Sequence, residues 1–161
     1  MPDEHSFSAP ALKKIDLTIA RLRLLLADVT AREAQLEEQR RTCREQQHKL
    51  VTFSLYGDSS LDTVLTMMAD VQERQAHLNG RAESLAAIRA RAENELESLQ
   101  LTKGIEEAKV VLQQLQAQQA QPPDSADALS PAEIQAEIAR LRALINEASE
   151  RAAQSIGRAS R

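Results

Sequence analysis

Apolar residues return at every third or fourth position from Leu12 to Leu50: Leu12, Ile15, Ile19, Leu22, Leu26, Val29, then Glu33, Leu36, Arg40, Cys43, Gln47 and Leu50. Nine of these twelve positions are apolar. A heptad stripe sustained this long is turned to one side only by a long α-helix, and it has to be covered by another helix. Glu33, Arg40 and Gln47 interrupt the stripe in its middle. Long Arg and Gln stems can lie along a seam with their heads in water, and polar seam positions tend to fix register.

The same signal recurs downstream. A second stripe runs through Leu61, Val64, Met68, Val71, Gln75, Leu78, Ala82, Leu85, Ala92, Leu96 and Leu99. It changes phase near Leu99 and continues as Leu101, Ile105, Ala108, Leu112 and Leu115. Between the two stripes, Gly57 is the natural residue for a left-handed C-terminal cap, and "GDSS" is turn chemistry. Ser59 with Asp62 resembles a capping box opening the second helix. A third helix is announced by Ser130 as cap, Pro131 at its first position and Glu133 closing the box. Its stripe is Ile134, Ile138, Leu141, Ile145, Ala148 and Ala152.

Lengths then suggest an arrangement. About 43 residues of helix one and about 62 of helix two correspond to roughly 65 and 93 Å at 1.5 Å per residue. Their short connection makes them antiparallel neighbours, which sets Leu12 opposite about residue 102. Helix two changes phase near that point because it changes partner: helix three would fold back along residues 103–120, its far end meeting the start of helix one. The expected fold is all-α, a long antiparallel coiled-coil hairpin with a third, C-terminal helix packing at its base. The expected segments are a disordered lead-in over 1–9, the hairpin over 10–121 with its tip near 53–68, a Pro-containing linker over 122–130, a helix over 131–156 and a disordered tail over 157–161. Gly80 and Gly104 are read as helix-interior glycines.

Composition narrows the function. Aromatics are 2% of 161 residues and Trp is absent, too few for an ordinary globular core. The net charge is −4, with signs alternating along the helices, which disfavours a specific nucleic-acid partner. Cys43 stands alone, so no internal disulfide is possible, and its place on the seam reads as a small buried hydrophobe. His5, His48 and His77 have no metal-ligand spacing, and no catalytic constellation or phosphate-cradling glycine loop is present. No enzyme, cofactor or metal is expected. No apolar run reaches bilayer length, and the start lacks an export signal. The sequence as given reads as cytoplasmic, or extracytoplasmic if a signal peptide has been omitted.

One stretch differs from everything around it. "FSLYGDSSLDTVLTMM" (53–68) holds two of the three aromatics and two of the three methionines. Gly57, Ser59 and Asp62 serve chain reversal. Phe53, Leu55, Tyr56, Leu61, Leu65, Met67 and Met68 exceed what reversal needs and are the candidate partner-binding residues. They form either a hydrophobic knuckle, a docking surface, or both.

Tyr56, Gly57, Ser60, Leu61 and Leu65, followed by Asp70, Arg74 and Leu78, resemble the N-terminal coiled-coil domain of EnvC- and PcsB-type peptidoglycan hydrolases and hydrolase regulators. There a long helix ends in an aromatic and a glycine-containing turn, and an Asp-x-x-x-Arg-x-x-x-Leu run opens the return helix. The specific part of the resemblance covers about residues 53–78. It implies a segment without catalysis of its own, docking on the extracytoplasmic domain of an FtsEX-type division complex and restraining or positioning a hydrolase. Met68–Ala69 replaces the family's usual Ser–Phe pair before the Asp. The sequence as given carries no peptidase domain after residue 121, so the expectation is an isolated, adaptor-like relative.

Three functions therefore compete. The chain is a coiled-coil adaptor binding one protein through its tip, a homo-oligomeric scaffold in which the seam is the function, or a prefoldin-like chaperone hairpin gripping many clients.

Overall fold

The computed structural model describes residues 8–57, 59–120 and 129–159, with side chains described over 10–57, 59–120 and 129–154. Among them are three α-helices: α1 (Ser8–Tyr56), α2 (Leu61–Ala120) and α3 (Pro131–Ala159). The chain is all-α, with α1 and α2 packed as an antiparallel hairpin and α3 against the C-terminal part of α2. Residues 1–7 of the expected lead-in, residues 58 and 121 of the expected hairpin, 122–128 of the expected linker and the last two residues lie outside the described residues.

All twelve positions of the α1 stripe are buried or half-buried. In α2, each stripe position from Val64 to Leu115 is buried or half-buried, while Leu61 is exposed. The α3 stripe from Ile134 to Ala152 likewise faces inward. The heptad pattern thus selected the buried face of every helix. The cores are nonetheless thin: among the described residues no polar or charged side chain is buried, and no side chain is fully enclosed. A two-helix seam covers each knob from one side only.

The helices divide between two compact units. In one, residues 24–93, α1 and α2 meet along the seam. Leu36, Cys43 and Leu78 form its buried cluster, with Ala82 and Leu85 packed against them. The Cys43 side chain fills a seam position as a small hydrophobe. Glu33 breaks the stripe and is answered across the seam by Arg89, whose Nε donates to the Glu33 carboxylate at 3.0 and 3.2 Å. Arg89 also donates to the Thr30 hydroxyl at 2.8 Å. Nearer the reversal, Arg74 donates to Gln46 Oε1 at 3.2 Å.

In the other unit, residues 1–23 with 94–161, α3 packs on α2. Leu115, Ile134 and Ile138 are its buried cluster, supported by Leu112 and Leu141. The change of phase in α2 appears as a broad band, with Leu96, Leu99, Leu101 and Ile105 all half-buried before Ala108 and Leu115 become the buried positions. Lys103 holds Asp16 of α1 at 2.6 Å. With Asp16 at residue 103, Leu12 falls about one turn beyond its expected partner near 102. The reversal is centred past Gly57, which displaces the register along α2.

The helix ends bring four corrections. α1 begins at Ser8, two residues inside the expected disordered lead-in. Gly57 does not adopt a left-handed conformation. Its N–H donates to the Phe53 carbonyl at 2.7 Å, continuing the helical pattern by one bond. Glycine is required there for space: a Cβ would stand 2.6 Å from the Phe53 carbonyl oxygen and 3.1 Å from its ring. The cap of α2 is Ser60 rather than Ser59. The Thr63 N–H donates to Ser60 Oγ at 3.4 Å, and the two hydroxyls lie 2.8 Å apart. Thr63 takes the third position that the expected box assigned to Asp62. Asp62 remains in the first turn, where its charge complements the helix dipole. Finally, α3 continues to Ala159, past the expected end at 156 and through Gly157. Its start follows the expected box: Ser130 N–H donates to Glu133 Oε2 at 2.8 Å, and Glu133 N–H returns to Ser130 Oγ at 3.3 Å. The Ser130 backbone N–H, with help from the hydroxyl, holds the Glu133 carboxyl below the usual glutamate value.

Candidate protein-interaction surface at the helix reversal

The last turns of α1 and the first turns of α2 carry two classes of side chain. Val64, 2% exposed, is buried between the helices, and Met68 is half-buried behind it. Together they are the knuckle that joins the two helices. Around them lies a second class. Tyr56 is 86% exposed, Leu55 and Leu61 are each 70% exposed, and Phe53, Leu65 and Met67 are also exposed. Of the seven expected partner-binding residues, six stand in solvent and Met68 faces the seam. Val51, on the preceding turn, adds a further exposed apolar group.

Polar groups here are satisfied locally. The Thr52 hydroxyl donates to the His48 carbonyl at 3.1 Å, Ser54 to Val51 at 2.7 Å, and Thr66 to Asp62 at 2.9 Å. Hydroxyls turned back onto their own helix present little to a partner. The apolar groups are what the surface offers. Aromatic and Met side chains of this kind make adaptable anchors for a partner's pocket.

Charge within the reversal is acidic, with Lys49 and Arg74 at its two borders. Residues 50–73 contain Asp58, Asp62, Asp70 and Glu73, and no Lys, Arg or His. Asp58 lies outside the described residues. No ion pair among the described residues falls between Glu45 and Arg89. Along α1 from Asp28 to Glu45, by contrast, each charged residue has an ionic partner.

Comparison with known protein families, with curated proteins and with solved structures gives no match. The surface is therefore read from its own chemistry.

His48 and His77 are exposed, and His5 lies outside the described residues. No three His, Cys, Asp or Glu side chains converge among the described residues. No helix among them is long and apolar enough to cross a membrane. The polar feature that sequence reasoning missed is Arg89. It stands four residues after Leu85, in the gap of the α2 stripe before Ala92, opposite the break at Glu33. The Arg89 hydrogen bonds outweigh desolvation and hold the Glu33 carboxyl below its usual value; those bonds raise Arg89 in turn. Matching the two gaps across the hairpin would have revealed the pair.

Proposed function

We propose that this chain is a non-enzymatic coiled-coil adaptor that docks a protein partner through the reversal between α1 and α2. The observation that carries this reading is the ring of exposed Phe53, Leu55, Tyr56, Leu61, Leu65 and Met67 around a knuckle already completed by Val64. Apolar groups that contribute nothing to the hairpin seam are costly to leave in water unless something covers them. The resemblance of residues 53–78 to the EnvC- and PcsB-type coiled coil supplies the candidate setting, regulation of cell-wall hydrolysis or division. The corresponding partner is the extracytoplasmic domain of an FtsEX-type complex.

The test is capture of that purified domain by the full chain and by the Tyr56→Ala, Leu61→Ala double variant. Both substituted residues are exposed, so helicity by circular dichroism stays unchanged while capture is lost. Capture by the variant at the level of the unaltered chain would overturn the reading. Suppression of aggregation of several unrelated clients, lost in the same variant, would favour the prefoldin-like chaperone alternative.

A further inference from the structure

Two exposed faces of this chain carry unpaired charge of opposite sign. The reversal is one: Asp62, Asp70 and Glu73 have no ionic partner among the described residues, and they flank exposed Tyr56, Leu61, Leu65 and Met67. The other lies on the first turns of α1. Lys13, Lys14 and Arg21 are exposed, without an ionic partner among the described residues. Leu17, 52% exposed, sits among them. The spacing 13, 17, 21 places them on one side of the helix, away from the seam residues Ile15, Ile19 and Leu22. The one acid in this stretch, Asp16, is engaged by Lys103 at 2.6 Å. The face is thus basic, with an apolar residue at its centre and aliphatic Lys and Arg stems around it.

The middle of α1 differs from both faces. From Asp28 to Glu45, acids and bases neutralise one another at short range. Lys49 and Arg74 border the acidic face and Asp16 lies within the basic one, yet among the described residues none of them forms an ion pair with these charges. Complementary potentials with apolar centres are the pattern by which protein surfaces select each other and fix register.

We infer that the occupant of the apolar reversal surface in the free protein is a second copy of this chain, whose Lys13, Lys14, Leu17 and Arg21 face receives it. This rests on the reading of the reversal as a docking surface and names its partner; any other protein bound there displaces the second copy. The two faces differ, so the contact is heterologous. It closes when two copies reciprocate it and otherwise propagates from copy to copy.

Sedimentation velocity of the full chain, over a range of concentrations at low and high salt, tests this. Association grows with concentration and weakens as salt rises, because the contact is built on exposed charges. The triple variant Lys13→Glu, Lys14→Glu, Arg21→Glu is monomeric, and so is Asp62→Lys, Asp70→Lys, Glu73→Lys. A chain carrying all six changes associates again, because the signs are restored in exchange. Circular dichroism checks that each variant stays helical. A monomer at every concentration overturns the inference and leaves the docking reading to the capture experiment. Association lost in Tyr56→Ala, Leu61→Ala but kept in the Lys13, Lys14, Arg21 variant also overturns it, while sustaining the reversal as a docking surface. Association kept in both variants overturns the inference and removes its support from that reading.

Discussion

Between Asp28 and Glu45, α1 keeps its apolar groups on the seam and its charges in pairs; a few turns further along, between Val51 and Met67, it and its partner helix do the reverse. In the shaft, Leu36, Cys43 and Leu78 are buried and Glu33 is met by Arg89. At the reversal, Val64 alone is deeply buried, larger apolar side chains stand outside it, and the acids have no ionic partner among the described residues. Both regions are built from the same two helices. On the α1 side of the shaft, from Asp28 to Glu45, every charged residue is met by an ionic partner. The reversal has groups to spare, which is the condition for binding something else.

Stability should separate the two regions most sharply at their leucines. Leu78→Ala opens a cavity in the shaft cluster and is expected to cost about 2–5 kcal/mol. Leu61→Ala removes a side chain 70% exposed and should change stability by no more than about 0.5 kcal/mol. Urea unfolding of both variants checks this; equal losses would mean the reversal is part of the core. Next come the serines. Ser60→Ala removes the cap of α2 and should cost about 1 kcal/mol, whereas Ser59→Ala should be close to neutral. The order of the two melting temperatures reads which residue caps.

The glycines should respond with opposite signs. A Cβ at Gly80 meets nothing within 4 Å, so Gly80→Ala is expected to stabilise by about 0.5–1 kcal/mol. Gly57→Ala is expected to destabilise, because its Cβ would meet the Phe53 carbonyl at 2.6 Å. Thermal melts of the two variants decide it. The smallest contrast is in acid. Arg89 holds the Glu33 carboxyl low, so its contribution is complete above the ordinary glutamate pKa and is lost as pH falls through the lower, folded-state value. Glu33→Gln should therefore flatten the acid limb of the melting-temperature profile.

How far the chain could be read in advance follows from what each signal encodes. Heptad spacing records which face of a helix is apolar, so the seams of α1, α2 and α3 were legible at every stripe position but Leu61, which is exposed. The capping box of Ser130 and Glu133 was legible because its partners lie three residues apart on one turn. The α2 start was misplaced by one residue because Ser59 and Ser60 are equally good caps on sequence grounds. Only the hydrogen bond from Thr63 chooses between them. Gly57 was correctly a point of chain reversal, but its reason was hidden: the approach of Phe53, not a left-handed backbone, excludes a side chain there.

The interaction surface divides in the same way. Composition singled out residues 53–68 by their aromatics and methionines, yet it could not separate Met68, which faces the seam, from Tyr56, which faces water. By itself the sequence determined the helices, their inward faces and the place where the chain turns back, since these depend on neighbours a few residues apart. The tertiary structure alone decided the register that joins Asp16 to Lys103 and Glu33 to Arg89, and with it which apolar and charged groups the hairpin consumes and which it leaves exposed. Register depends on where the reversal is centred, and a shift of one turn there changes every cross-helix partner along the seam.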